Sequence, residues 1–430
     1  MKGKNALLAA VFTVTSFIVH GQEIYRDTLS VTLNQADSIF LVRNLSLLAE
    51  KCNVEAAKAR IIQAKLFRNL NFSISQNIFN PYYQSMGAKK YFDLTDKGDM
   101  AIQVQKLILT AGKRNKQISL AETGARREEE YYFDLIRTLK FALHSQFYNI
   151  RYLENILAVY RNEIASLSKL ADAFKKETEK GNVSKKELLR IQASLFSLEN
   201  EKLGYLTQLI SAQSEMNILL HSDNIYIKPA PGSLPVQGFN PDSLRLQQLI
   251  DTANACRYDL RMAKTDVDIS NLNLSYQKAL GVPDVTVSGG WEKNGGYYHN
   301  YNFIGLQFDL PLFDRNQGNI KSAKFSSENL KYNFQSTAER VKSEVVSAYS
   351  TLLETDRLYR KFDSSFTGEL EVMNGEMLKN FEKRNISLIE FLDYYDAYKM
   401  NVIQLNTLMM NRAGSIENLS YVTGKDITLK

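Results

Sequence analysis

Gly181-Asn-Val-Ser-Lys-Lys-Glu-Leu-Leu189 and Arg384-Asn-Ile-Ser-Leu-Ile-Glu-Phe-Leu392 are one motif written twice, 203 residues apart. Each is a turn followed by Ser-x-x-Glu, a capping box, and then by an apolar helix start. The register continues outward from both. Val104-Gln105 falls on Leu306-Gln307, Ile118 on Ile320 and Ala121 on Ala323, all at an offset of 202. Phe72-Ser-Ile-Ser-Gln-Asn-Ile78 falls on Val285-Thr-Val-Ser-Gly-Gly-Trp291 at 213, and both segments alternate apolar and polar residues. Order and spacing survive through about 150 residues per copy, which marks a tandem duplication and not an array of short repeats.

Each copy reads helix, strand, loop, strand, very long helix, turn, helix: a mainly α fold with a small β part. The copies occupy 22–222 and 242–424, leaving a tail at 425–430. Between them, 223–241 holds Pro229, Pro231, Pro235 and Pro241, four of the seven prolines, and is the expected linker.

The long helices carry a coiled-coil period. Leu139, Leu143, Ile150, Leu153, Leu157, Tyr160, Ile164, Leu167 and Ala171 keep 3/4 spacing in the first copy. Val341, Val345, Ala348, Leu352, Thr355, Tyr359 and Phe362 keep it in the second. Such a seam buries against near-parallel neighbours. Lys113–Lys180 spans 68 residues and Arg315–Lys383 spans 69, about 102 Å each at 1.5 Å per residue. The flanking helices, Leu33–Leu70, Ser243–Leu280, Lys185–Leu220 and Ser387–Val422, are about half as long. Two of them end to end match one long helix, so each copy can build two rods of equal height.

The segments Phe72–Ile78, Ala101–Leu109, Val285–Trp291 and Tyr301–Leu310 alternate and run 7 to 10 residues, near the ~9–11 of a tilted membrane strand. Tyr82, Tyr83, Tyr91, Phe92, Trp291, Tyr297, Tyr298 and Tyr301 cluster at strand ends, where an aromatic girdle would sit. Four strands cannot close a membrane barrel, whose smallest single-chain forms have about eight. A spanning chain must therefore share a barrel with other copies, and two or three both satisfy the count. A soluble sheet on a coiled-coil scaffold is the competing reading of the same strands.

Composition narrows the class. The 430 residues carry 53 Lys+Arg against 47 Asp+Glu, too small a surplus for a nucleic-acid surface, and there is no basic run. Residues 1–21 read as a secretory signal peptide: Lys2 and Lys4, an apolar 6–19, and Val19-His20-Gly21 before Gln22. No cysteine directly follows that site, and no later stretch has 18 consecutive apolar residues, so membrane entry would have to be as a barrel.

The duplicated plan, with G-x-V-S-x-x-E-L-L at the turn, resembles the TolC outer-membrane efflux family over nearly the whole mature chain. Leu310-Pro-Leu-Phe-Asp-Arg-Asn-Gln-Gly318 is similar to the signature of its cobalt–zinc–cadmium branch, which serves heavy-metal pumps. The resemblance implies a homotrimer. Its twelve-stranded barrel would sit in outer-membrane lipid of a Gram-negative bacterium and continue into a periplasmic helical tunnel, with 223–241 in an equatorial belt. The segments 79–100 and 292–300 would face outward. The turns Gly181, Asn182, Val183, Ser184 and Arg384, Asn385, Ile386, Ser387 would be periplasmic tips that meet an adaptor (membrane fusion) protein and an inner-membrane pump. A protein or peptide secretion pump is the other partner compatible with this fold.

The same resemblance places Glu390 and Asp393, with Glu187 in the first copy, where carboxylates line the periplasmic entrance. Repeated by three, they would favour cations. Local chemistry competes: Glu187 and Glu390 are also the closing residues of capping boxes. The second copy departs from the family pattern, because Arg384 replaces the turn glycine and Ile386 stands where a gating arginine can occur. Metal chemistry has no motif: His144, His221 and His299 are scattered. Ala111-Gly-Lys-Arg114 lacks the rest of a phosphate loop, and no G-x-S-x-G is present. The expectation is a passive duct without cofactor or catalysis. Cys52 and Cys256, on corresponding helices, are expected as two buried thiols and not a disulfide.

Overall fold

The computed structural model describes residues 27–76, 99–230, 239–294, 298–362 and 364–427. The expected leader 1–21, Tyr82, Tyr83, Tyr91, Phe92 and Tyr297, with most of 79–100 and with 295–297, lie outside the described residues.

The first copy begins with β1 (Asp27–Val31), α1 (Leu33–Arg43) and α2 (Leu45–Lys65). It continues with the hairpin β2 (Asn71–Gln76) and β3 (Met100–Ile108), then α3 (Lys113–Glu179), α4 (Lys185–Leu220) and β4 (Ile225–Pro229). The second copy has α5 (Leu246–Cys256), α6 (Tyr258–Leu280), β5 (Val285–Asn294), β6 (Tyr298–Gln307), α7 (Gln317–Lys361), α8 (Ser364–Glu382) and α9 (Leu388–Thr423). At 67 residues α3 is about 100 Å long, and its seam is the spine of the molecule. Leu143, Ile150, Leu153, Leu157, Tyr160, Leu167 and Ala171 are all buried on it.

Both short rods expected as single helices are broken, at equivalent positions 213 residues apart. Asn44 separates α1 from α2: its side chain accepts from Leu47 N at 3.1 Å and donates to the Leu219 carbonyl at 2.9 Å. Arg257 separates α5 from α6, pairs with Asp259 at 2.6 Å and donates to the Val422 carbonyl at 3.2 Å. Each break fastens its rod to the C-terminal end of the helix that returns from the tip.

The second long helix is likewise not continuous over 315–383; it is divided between α7 and α8. Its seam is buried only as far as Leu352, and Phe362 is exposed. In place of apolar contacts, Asp356 is buried against Arg412 at 2.7 Å, and Arg360 reaches Asp356, Asp242 and Asn240. Lost apolar drive and a polar anchor to the linker account for the division. The thiols also depart from expectation: Cys52 is exposed and Cys256 half-buried, and both are free.

The four long strands form one antiparallel sheet of order β2-β3-β5-β6. Its register aligns Phe72 with Val104, Gly289 and Ile304, and Ile74 with Ile102, Trp291 and Asn302. Because side chains alternate, these residues share one face. Ser73, Gln103, Gly290 and Phe303, with Asn71, Gln105, Ser288 and Gly305, share the other. One face is mainly apolar and open, with Ile304 87% exposed and Phe72 61%, and is interrupted by Lys106 and Asn302; the opposite face is mainly polar, with Phe303 lying over Gly290. Tyr301 pairs with Glu292 and so lies on the polar face, which removes it from an outward-facing girdle, whereas Trp291 lies on the apolar one.

A second, two-stranded parallel sheet pairs β1 with β4. It was not expected, since β4 lies inside the proline-rich linker. Its outer polar groups are met by α4: Gln213 bonds both the N–H and the carbonyl of Ile227, and Asn217 does the same for Ile225. Val31 and Ile227 join the buried cluster around Phe40, Phe147 and Leu220.

At this level His144 fixes three helices together. Its Nε2 lies 2.8 Å from Asp37 of α1 and its Nδ1 2.8 Å from Glu417 of α9, while Tyr148 donates to Glu417 at 3.0 Å. Burial opposes its charge, but the hydrogen bonds and negative charges of Asp37 and Glu417 outweigh it and raise the imidazole to about 9. The folded value is raised above the unfolded one. The clamp's contribution is therefore full below about 6.5 and disappears as pH rises through about 9. Thermal melts between pH 6 and 10 should show this loss, and His144→Gln should be less stable at pH 6 with a flatter profile.

Candidate functional site

The two tips form in the same way. Gly181 takes φ +80°, and Asn182 N donates to the Glu177 carbonyl at 2.9 Å. Arg384 takes φ +60°, and Asn385 N donates to the Asn380 carbonyl at 2.9 Å. Both are left-handed helix ends of the Schellman kind. Arg384 holds a conformation that favours glycine, at a cost of about 1–2 kcal/mol. The Asn182 amide, then Lys180, hold the Glu177 carboxyl below the ordinary value, and the charge of Arg384 adds the smallest share. Gly181, Asn182, Ser184, Arg384, Asn385 and Ser387 are exposed, and Val183 and Ile386 are half-buried.

Both expected capping boxes are formed. Glu187 N donates to Ser184 Oγ at 3.3 Å and Ser184 N to Glu187 Oε2 at 3.1 Å; the Ser387–Glu390 pair repeats this at 3.2 and 2.8 Å. The Ser387 backbone N–H, then its hydroxyl, hold the Glu390 carboxyl below the ordinary value. Glu187 and Glu390 therefore have a local task. Asp393 differs: it is exposed one turn further on, with no hydrogen bond or ion pair among the described residues. No described cluster of three His, Cys, Asp or Glu side chains forms a metal group.

Behind the tips the two hairpins pack on each other. Phe174 stacks on Phe381, Phe381 on Phe391, and Tyr395 lies beside Phe391. Above this aromatic layer is a charged cluster that sequence reading missed. Lys399 is buried and bonds Glu201 at 2.9 Å and Asp396 at 3.3 Å, and Tyr160 donates to Glu201 at 2.8 Å. Glu163 is 4% exposed, and neither carboxylate oxygen has a partner. The signal was available: Glu163 and Lys399 sit in register with otherwise apolar series, Ile156-Tyr160-Leu167 and Leu388-Phe391-Tyr395-Ile403.

Burial pushes the Glu163 carboxyl up to about 8, Asp396 and Glu201 adding to the shift and Lys399 opposing it. An acid raised on folding destabilises progressively as pH climbs from its unfolded to its folded value, here from about 4.5 to about 8. Glu163→Gln should raise the melting temperature by several degrees at pH 8.5 and leave it nearly unchanged at pH 5; equal effects at both would show that the carboxyl is solvated.

An apolar-faced four-stranded sheet above a duplicated helical rod is the fold of the TolC-like outer-membrane efflux channels. No family model matches the sequence. The cobalt-zinc-cadmium resistance protein CzcC of Cupriavidus metallidurans is 20% identical over 294 residues, 68% of this chain and 66% of CzcC. The aligned region thus spans about two thirds of that protein's length. The CmeC outer membrane channel of Campylobacter jejuni superposes with a TM-score of 0.75 at 15% identity, over 98% of this chain and 94% of CmeC. The open-state MtrE outer membrane channel of Neisseria gonorrhoeae gives 0.69 at 14% identity, over 94% and 95%. A membrane protein of Pseudomonas aeruginosa gives 0.75 at 17%, over 93% of both chains.

Proposed function

We propose that this chain is the outer-membrane component of a tripartite efflux system, a passive duct that carries substrate across the outer membrane and performs no catalysis. The observation that carries the reading is the sheet. One face is mainly apolar and exposed, the other mainly polar, and neither edge strand, β2 or β6, has a further strand partner among the described residues. An apolar band, interrupted by Lys106 and Asn302, separates this reading from a water-soluble coiled-coil scaffold. In lipid such edges must close, and three copies close them as twelve strands with the polar face inside. Residues 1–21 are the export leader, and 223–241 lies in the belt around the tunnel.

An adaptor and an inner-membrane pump meet the tips at 181–184 and 384–387. Cargo is heavy-metal cations, following the likeness to CzcC, or drugs. It passes Asp393, whose exposed carboxylate repeats by three around the entrance and favours cations. Glu187 and Glu390 chiefly cap their helices.

Planar-bilayer recording tests both levels. The protein should give stepwise conductance with cation preference in a KCl gradient, and Asp393→Lys should move the reversal potential toward anion selectivity. Conductance with unchanged selectivity would remove Asp393 from the entrance. No conductance in any bilayer would contradict the duct itself.

A further inference from the structure

The cations at the corner where the sheet meets the first long helix are of two kinds. Lys65 pairs with Glu122 at 3.1 Å, and Lys113, buried at the start of α3, pairs with Asp284 at 2.7 Å. Lys106 and Arg114 have no carboxylate partner among the described residues. Both reach the ring of Phe67 instead, Lys106 Nζ at 5.8 Å from its centre and the Arg114 guanidinium carbon at 4.1 Å. The guanidinium also donates to the Lys65 carbonyl, which holds it against the end of α2. Phe67 is 72% exposed, and its neighbours Leu66 and Leu70 are exposed as well.

The place of this unmatched charge makes it informative. Lys106 aligns with Val287, and Val287 with Leu306, so the ammonium rises from the mainly apolar face of the sheet, two residues before the helix-side end of β3. A cation on a lipid-facing surface needs an anion or water within reach of its stem. The duplication shows that the fold itself does not require the charge. The offset of 202 carries Lys106 to Phe308 and Arg114 to Asn316, and the offset of 213 carries Phe67 to Leu280. Phe308 and Leu280 are exposed, and the Asn316 amide donates to the Gln277 carbonyl at 2.8 Å. The equivalent corner is thus built without a cation.

We propose that Lys106 and Arg114, gathered around Phe67, bind the phosphate of an anionic phospholipid in the leaflet nearest the helices, one site per copy. An ammonium and a guanidinium both make charge-assisted bonds to phosphate oxygens. Exposed Phe67, Leu66 and Leu70 meet the acyl chains just beneath the headgroup, the depth that aromatic rings favour. A dissolved phosphate would satisfy the charges and leave these apolar residues in water, so the occupant is a lipid. The site rests on the outer-membrane reading, because only a bilayer brings headgroups to this level of the sheet.

Native mass spectrometry of the detergent-extracted oligomer, titrated with phosphatidylglycerol or phosphatidylcholine, tests it. The protein should retain phosphatidylglycerol more tightly, up to one per copy. Lys106→Gln breaks no hydrogen bond or ion pair among the described residues and should weaken that retention by roughly tenfold. Lys106→Arg should restore it, and Lys58→Gln, whose charge is matched by Glu55 and Glu129, should leave it unchanged. Equal retention of both lipids, or full retention by Lys106→Gln, overturns the inference while the oligomer stands. Displacement of the lipid by inorganic phosphate alone would show a free-anion site and overturn the lipid occupant. If Lys106→Gln instead lowers the temperature at which the oligomer dissociates, with lipid retention unchanged, its partner is a carboxylate of a second copy and the inference fails. A water-soluble monomer would remove the membrane reading and this site with it.

Discussion

Everything above the helical rods depends on one unmet requirement: a four-stranded antiparallel sheet with an exposed, mainly apolar face and two edges that have no partner among the described residues. In water such a sheet is a template for aggregation. In lipid the apolar face is satisfied, but unpaired N–H and C=O groups cost several kcal/mol each. Closure by further copies would remove both penalties together and would place the mainly polar face, including Ser73, Gln103 and Ser288, inside the barrel.

The helical part answers a matching problem of length. A rod made of α1, α2 and α4 must stand as tall as α3, and the breaks at Asn44 and Arg257 tie the short helices to the returning ends at Leu219 and Val422. These contacts are duplicated in position while their chemistry has diverged, amide in one copy and guanidinium in the other. The tips show the same divergence. Gly181 and Arg384 adopt the same left-handed turn, one without strain and one with it.

Much of this was legible because it is periodic. The heptad seam of α3, the alternation of the strands and the two Ser-x-x-Glu boxes each follow from side-chain spacing alone. The division of α7 from α8 was not, because Thr355, Tyr359 and Phe362 continue the apolar spacing while the burial that would support it stops at Leu352. The breaks at Asn44 and Arg257 carry neither glycine nor proline and are stabilised by partners about 165 to 175 residues away. β4 was hidden by the prolines around it. His144 read as scattered because Asp37 and Glu417 reach it only through the fold. At the candidate entrance, the sequence showed the caps of Glu187 and Glu390, and the structure singles out Asp393 by leaving it unpaired among the described residues.

The most direct test of the central claim is the mass of the mature protein extracted in mild detergent and corrected for bound detergent. Closure by three copies predicts a detergent-requiring species of three protomers. A water-soluble monomer or dimer would contradict it and would leave the sheet without a membrane to face.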